Sequence, residues 1–120
     1  MIRGTTPTIT YNMPFDVSKI VKFRMYFIQG TETIITKDET ACTITHTASS
    51  DTVSVQLTQA DTFKFSSKKK LITRSRFMTN EGTQQTPVYV VGGTKSKEIV
   101  VEDTGGATDE ILTVATTGTE

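Results

Sequence analysis

"KIVKFRMYFIQG", residues 19–30, decides the fold class. Val21, Phe23, Met25 and Phe27 recur at every second position, with Lys22, Arg24 and Tyr26 between them. Side chains alternate across a strand, so the run reads as a strand with an apolar face inward and a charged face outward. Gly30 permits a turn, and "TETIITKD" (31–38) supplies the returning arm of a hairpin.

Outward from this hairpin the pattern repeats. On its amino-terminal side, "TITYNM" (8–13) lies between Pro7 and Pro14 and reads as a short edge strand, because proline is confined to strand starts and edges. On the other side, "ACTITHT" (41–47) is a further strand and "TASSD" (47–51) is turn chemistry. "TVSVQLT" (52–58) alternates again, with Val53, Val55 and Leu57 inward. Thr58 and Asp61 have the spacing of a helix N-cap and a first-turn acid, so "TQADTF" is expected to form one helical turn between sheets. "SSKKK" (66–70) is a polar turn and "LITRSRFMT" (71–79) a strand with Arg74 and Arg76 toward solvent. "NEGTQQT" (80–86) is a loop and "PVYVVGG" (87–93) the last clear strand. About seven short strands at this spacing predict an all-β, antiparallel immunoglobulin-like β-sandwich over residues 1–95. A small closed β-barrel has the same periodicity and is the alternative.

Composition agrees. About one residue in five is threonine and tryptophan is absent. β-Branched and aromatic side chains suit a pleated, half-buried surface. With 13 basic and 13 acidic residues the net charge is zero, which argues against a nucleic-acid partner held by bulk electrostatics. The single Cys42 cannot form an internal disulfide. Arg3 is followed by the polar "GTTPT" rather than a signal-like apolar run, and no run is long enough for a membrane helix. The chain is therefore expected to fold in a cytoplasm, without a membrane partner.

The charges are unevenly placed. Residues 1–80 carry 11 basic and 6 acidic side chains, a net of +5, whereas residues 81–120 carry 2 and 7, a net of −5. Residues 96–120 read as an acidic arm, extended or partly disordered until bound. Disorder alone does not explain its apolar residues Ile99, Val100, Val101, Ile111, Leu112 and Val114. Together with Lys68, Lys69 and Lys70 these are the candidate subunit contacts: the arm would pair with a neighbour's strand edge and its acids would face the lysine loop.

Catalytic chemistry finds little support. Cys42 and His46 are four residues apart in a strand-like segment, which separates them by roughly 13 Å. One histidine and one cysteine also fall short of a zinc site. Neither a phosphate-binding glycine loop nor a glycosidase-type acid pair is evident. No catalytic residue, metal or cofactor is expected. Tyr11, Tyr26 and Tyr89 could form a sugar-stacking platform, although tyrosines on separate strands more often pack.

Four blocks carry a family resemblance: "MIRGTTPT" at the start, "NMPFD" (12–16), "LTQADTFKF" (57–65) and "RFMTNEG" (76–82). In order and spacing, over about residues 1–92, they resemble small proteins of phages and prophages of gut Firmicutes and related bacteria. The blocks are structural signatures. The resemblance implies a virion component of the tail, baseplate or fibre apparatus, similar to the amino-terminal immunoglobulin-like domains of baseplate upper proteins. It also implies a bacterial host, in whose cytoplasm the chain would fold. Thr73 and Ser75 stand where relatives tend to be apolar, and the acidic tail from about Glu98 lies outside the pattern. The expected role is thus a non-enzymatic virion protein that contacts other copies and other virion proteins. The alternative is a phage module that binds a receptor or host-surface glycan.

Overall fold

A computed structural model of the chain describes residues 1–94 and 96–103. The strands are β1 (Thr8–Asn12), β2 (Ile20–Gln29), β3 (Glu32–Asp38), β4 (Thr43–His46) and β5 (Asp51–Gln56), followed by the one-turn helix α1 (Gln59–Phe63). Then come β6 (Leu71–Asn80), β7 (Tyr89–Gly93) and β8 (Lys97–Ile99). They form two antiparallel sheets, one of order β1-β5-β4 and one of order β3-β2-β6-β7, with β8 also paired to β6. The chain is an all-β sandwich, and β1 lies on a sheet edge as its flanking prolines predict. With β1 in the place of strand B, the two orders are the B-E-D and C′-C-F-G orders of an immunoglobulin-like sandwich.

Between the sheets, Phe23, Met25 and Phe27 of β2 meet Ile9 and Tyr11 of β1 and Val53, Val55 and Leu57, all buried. Val21 departs from the expected pattern. Ile20 pairs with Thr79 and Lys22 with Met78, so Val21 is the extra residue of a β-bulge. A bulge shifts the side-chain alternation by one. Ile20 therefore packs against the core and Val21 is 44% exposed. The hairpin turn is as expected: Gly30 takes φ 66° at the first central position, where a II′ turn requires positive φ.

β6 turns Leu71, Thr73, Ser75 and Thr79 inward, all buried, and Arg74 and Arg76 outward. Three inward positions on this strand are small and polar, and partners outside the strand satisfy them: Thr79 Oγ1 donates to Glu81 Oε2 (2.8 Å). The Tyr11 hydroxyl hydrogen-bonds Thr73 Oγ1, and Ser75 bonds Thr94 Oγ1 through both its amide (3.1 Å) and its hydroxyl (2.8 Å).

The expected boundary after residue 95 falls inside the sheet. β7 and β8 lie along the same side of β6, with Gly93 opposite Arg76 and Lys97 opposite Thr73. Beyond β8, Val101 enters the core at 5% exposure. Glu102 runs parallel to Ile2, its amide donating to Met1 O (2.8 Å) and its carbonyl accepting from Arg3 N (2.9 Å). The sandwich therefore includes residues 97–103. Val101 alternates with Ile99, and β6 needs a partner where β7 ends. The rest of the arm, with Ile111, Leu112 and Val114, lies outside the described residues.

α1 is built as its spacing predicts. Thr58 Oγ1 accepts from Asp61 N (3.0 Å) and Asp61 Oδ2 accepts from Thr58 N (3.0 Å), a capping box. Asp61 also pairs with Lys37 of β3 at 2.8 Å, joining α1 to the other sheet.

Phe23→Ala should cost about 3–5 kcal/mol, a large part of a domain's usual stability, whereas Val21→Ala should cost under about 0.5 kcal/mol. Urea unfolding of the two variants checks the bulge, because strict alternation predicts comparable losses. A second prediction concerns acid. Burial pushes the Asp61 carboxyl up, but Lys37 and the Thr58 amide outweigh it and hold the group below its ordinary value. A depressed folded-state pKa contributes stability above the unfolded value of about 3.9 and loses it as pH falls through the folded value. Asp61→Asn should therefore lower stability by about 1–3 kcal/mol at pH 7. Urea midpoints should show this difference shrinking as the pH falls below the carboxylate range.

Candidate functional site

The β7 edge is the surface feature that most needs an explanation. Val88, Tyr89, Val90 and Val91 are four consecutive apolar residues, between 48% and 58% exposed. β7 is the last strand of its sheet, hydrogen-bonded to β6 on one side. Among the described residues no strand pairs with its other side, whose backbone N–H and C=O groups are the usual template for adding a strand. The strand is held in place. Asn80 Oδ1 accepts from Gly82 N (2.9 Å) and Val88 N (3.1 Å), and Glu81 N donates to Val88 O (2.7 Å). A Cβ on Gly82 would lie 2.2 Å from Thr86 O and 2.8 Å from Val88 N, so the loop closes only around a glycine.

Beside this edge is a shallow cleft where Phe77, Met78 and Val91 lie with the basic residues Lys22, Arg24 and Arg76. The cleft thus joins basic side chains to an apolar strand edge. Arg24 is already engaged by Glu39 at 3.1 Å. The other terminal strand of this sheet, β3, carries Glu32, Thr33, Thr36 and Lys37 and offers no comparable apolar run.

The expected subunit contacts separate into three groups. Lys68, Lys69 and Lys70 are exposed in the loop before β6. Buried Gln29 organises that loop: its amide nitrogen donates to Ser66 O (2.8 Å) and Lys69 O (3.1 Å), and its carbonyl accepts from Ser66 N (2.9 Å). Ile99 and Val101 pack within their own sandwich, while Val100 is 68% exposed. Ile111, Leu112 and Val114 are outside the described residues. Part of the expected charge match between tail and lysine loop is made within one chain, since Lys70 lies 3.6 Å from Glu98. Asp103 pairs with Arg3 at 2.9 Å and accepts from Ser67 Oγ at 3.3 Å.

The three tyrosines do not form one platform: Tyr11 is buried, Tyr26 half-buried and Tyr89 exposed. Burial, then the charges of Asp38 and Glu39, push the Cys42 thiol up to about 11, so it stays protonated at neutral pH and is a poor nucleophile. His46 is engaged by Asp51, whose hydrogen bond raises its pKa above the ordinary value, with the charge of Asp16 adding to the effect. Among the described residues no helix is long and apolar enough to cross a membrane.

Residues 88–91 were legible as a strand but not as a surface. Their signal is an apolar run without alternation, which fits a strand buried on both faces equally well. The Asp16–His46–Asp51 cluster had no signal, because Asp16 is thirty residues from His46 in sequence. Comparison of the chain with protein-family models, with curated proteins and with solved structures gives no match in any of the three.

Gly82→Ala should displace the 82–88 loop and cost roughly 1–3 kcal/mol. Hydrogen exchange should localise the change, with faster exchange at the Gly82 and Val88 amides and unchanged protection in β2.

Proposed function

We propose that this chain is a non-enzymatic structural component of a bacteriophage virion, assembling in several copies in the tail, baseplate or fibre apparatus. The observation that carries the assembly reading is the run of exposed apolar residues 88–91 on an open sheet edge. Monomeric proteins usually blunt such edges with charge, proline or cover, and an exposed apolar strand is a liability unless something occupies it. The family resemblance of residues 1–92 supports the phage setting.

The occupant is the carboxy-terminal segment of a second copy. Seventeen residues follow Asp103, and they contain "EILTVAT" (110–116), a strand-forming run. Their charged residues are Asp109, Glu110 and Glu120, all acidic, which suits Lys22 and Arg76 beside β7. Backbone pairing supplies the register and the apolar side chains the anchorage, while opposite charge favours this encounter over wrong ones.

Val90→Lys on the exposed edge should leave the fold intact and disperse the assembly. Deleting residues 104–120 should do the same while sparing β8 and Val101. Sedimentation of the three proteins and mass spectrometry of purified virions read the outcome. A monomeric full-length chain absent from virions would overturn the proposal. Assembly that survives the deletion but not Val90→Lys would refute the arm as occupant.

A further inference from the structure

Three side chains able to ligate a cation converge at one end of the sandwich, from segments distant in sequence. Asp16 precedes the 3₁₀ turn Val17–Lys19, His46 ends β4 and Asp51 begins β5. Their candidate ligand atoms all lie within 4.8 Å of one another. His46 Nδ1 is 2.5 Å from Asp51 Oδ1 and 3.3 Å from Asp16 Oδ1.

We propose that Asp16, His46 and Asp51 form a binding site for a divalent transition-metal cation of the zinc class. The proposal is independent of the virion reading, since it concerns neither the β7 edge nor the arm.

Three features favour it. The first is preorganisation. Asp16 Oδ1 accepts from Ser18 N (2.9 Å) and Ser18 Oγ (2.6 Å), and Asp51 Oδ1 accepts from Val17 N (3.1 Å). Val17 is itself buried, so the short turn that carries these donors is anchored in the core. Both carboxylates are thereby held near the imidazole, with the Oδ1 atoms that accept these bonds facing Nδ1. The second is charge. With the imidazole neutral, two carboxylates share one small volume. Lys19, the cation near Asp16, is drawn to Glu81 at 3.1 Å. A divalent ion would compensate both negative charges at short range.

The third feature is geometry matched to chemistry. Bonds of about 2.0–2.1 Å to a tetrahedral zinc set its ligand atoms roughly 3.3–3.4 Å apart. The His46–Asp16 separation already has that value, and the His46–Asp51 separation reaches it by opening less than about 1 Å. Binding requires the Nδ1 lone pair, so the ion would replace the proton that Nδ1 donates to Asp51, leaving the remaining ring proton on Nε2. One imidazole with two carboxylates suits zinc or its first-row neighbours, whereas magnesium prefers oxygen ligands and retained waters. Three protein ligands leave one tetrahedral position open to water or to a group from another molecule. A bound ion would cross-link the β1–β2 connection to the β4–β5 hairpin and stabilise the fold by mass action.

Isothermal titration of the full-length protein with Zn²⁺ at neutral pH tests the site, with thermal unfolding as a second readout. One saturable ion per chain and a raised melting temperature are expected. His46→Asn and Asp51→Asn should each weaken binding by at least roughly tenfold. Asp51 also holds the Val17 amide, so Asp16→Asn, at the surface, provides a third variant that should fold and lose affinity. Cys42→Ser should bind as the parent does, and excess Mg²⁺ should not displace the zinc. Absence of saturable binding, binding unchanged in His46→Asn and Asp16→Asn, or loss of binding in Cys42→Ser would each overturn the proposal.

Discussion

The pairing of β2 with β6 is the interaction on which the rest of the structure depends. These are two ten-residue strands, joined antiparallel along most of their lengths, and each carries further strands on its other side. β2 brings the large apolar side chains, Phe23, Met25 and Phe27, while the inward face of β6 alternates into threonine and serine. A close-packed interior tolerates neither voids nor unpaired polar groups. The small inward residues of β6 therefore fix what must lie against them: Tyr11 from the opposite sheet over Thr73, and Thr94, just past the edge strand, beside Ser75. The threonine-rich composition here specifies positions through hydrogen bonds, where a larger apolar residue would specify only volume.

From that pair the two ends of the described chain acquire their places. β6 is longer than β7, so its first residues need another partner, and residues 97–99 supply it. The chain then folds Val101 into the core and runs beside Met1, Ile2 and Arg3. Arg3 binds Asp103 and the Phe63 carbonyl and lies over the Phe63 ring, while Thr62 bonds both Gly4 N and Thr5 O. One end of the sheet is thus closed by the terminal segments. Among the described residues the β7 edge at the other end has no strand beside it, and the exposed apolar run 88–91 lies there.

Most of the fold was legible in the sequence, because period-two alternation reports which face of a strand is buried without reference to neighbours. The inward residues Phe23, Met25 and Phe27 of β2 and Val53 and Val55 of β5 could be read this way, and the turn at Thr58 from its capping spacing. Val21 could not, because a bulge belongs to a strand pair and its signature lies in the register with Met78 and Thr79. Gln29 was read as the strand's end, and its role as the clamp of the 66–69 loop depends on a contact 37 residues away.

The candidate sites divide the same way. The strand character of residues 88–91 and the acidity of the tail are properties of local sequence, set by side-chain shape and charge. Whether a strand is central or on an edge, and whether an apolar run is buried or exposed, depends on strand order, which alternation does not encode. Only the tertiary structure put 88–91 on an open edge, drew Ile99 and Val101 into their own sandwich, and brought Asp16 to His46 and Asp51. Each of these is a long-range contact, decided by which surfaces must be covered once β2 and β6 have paired.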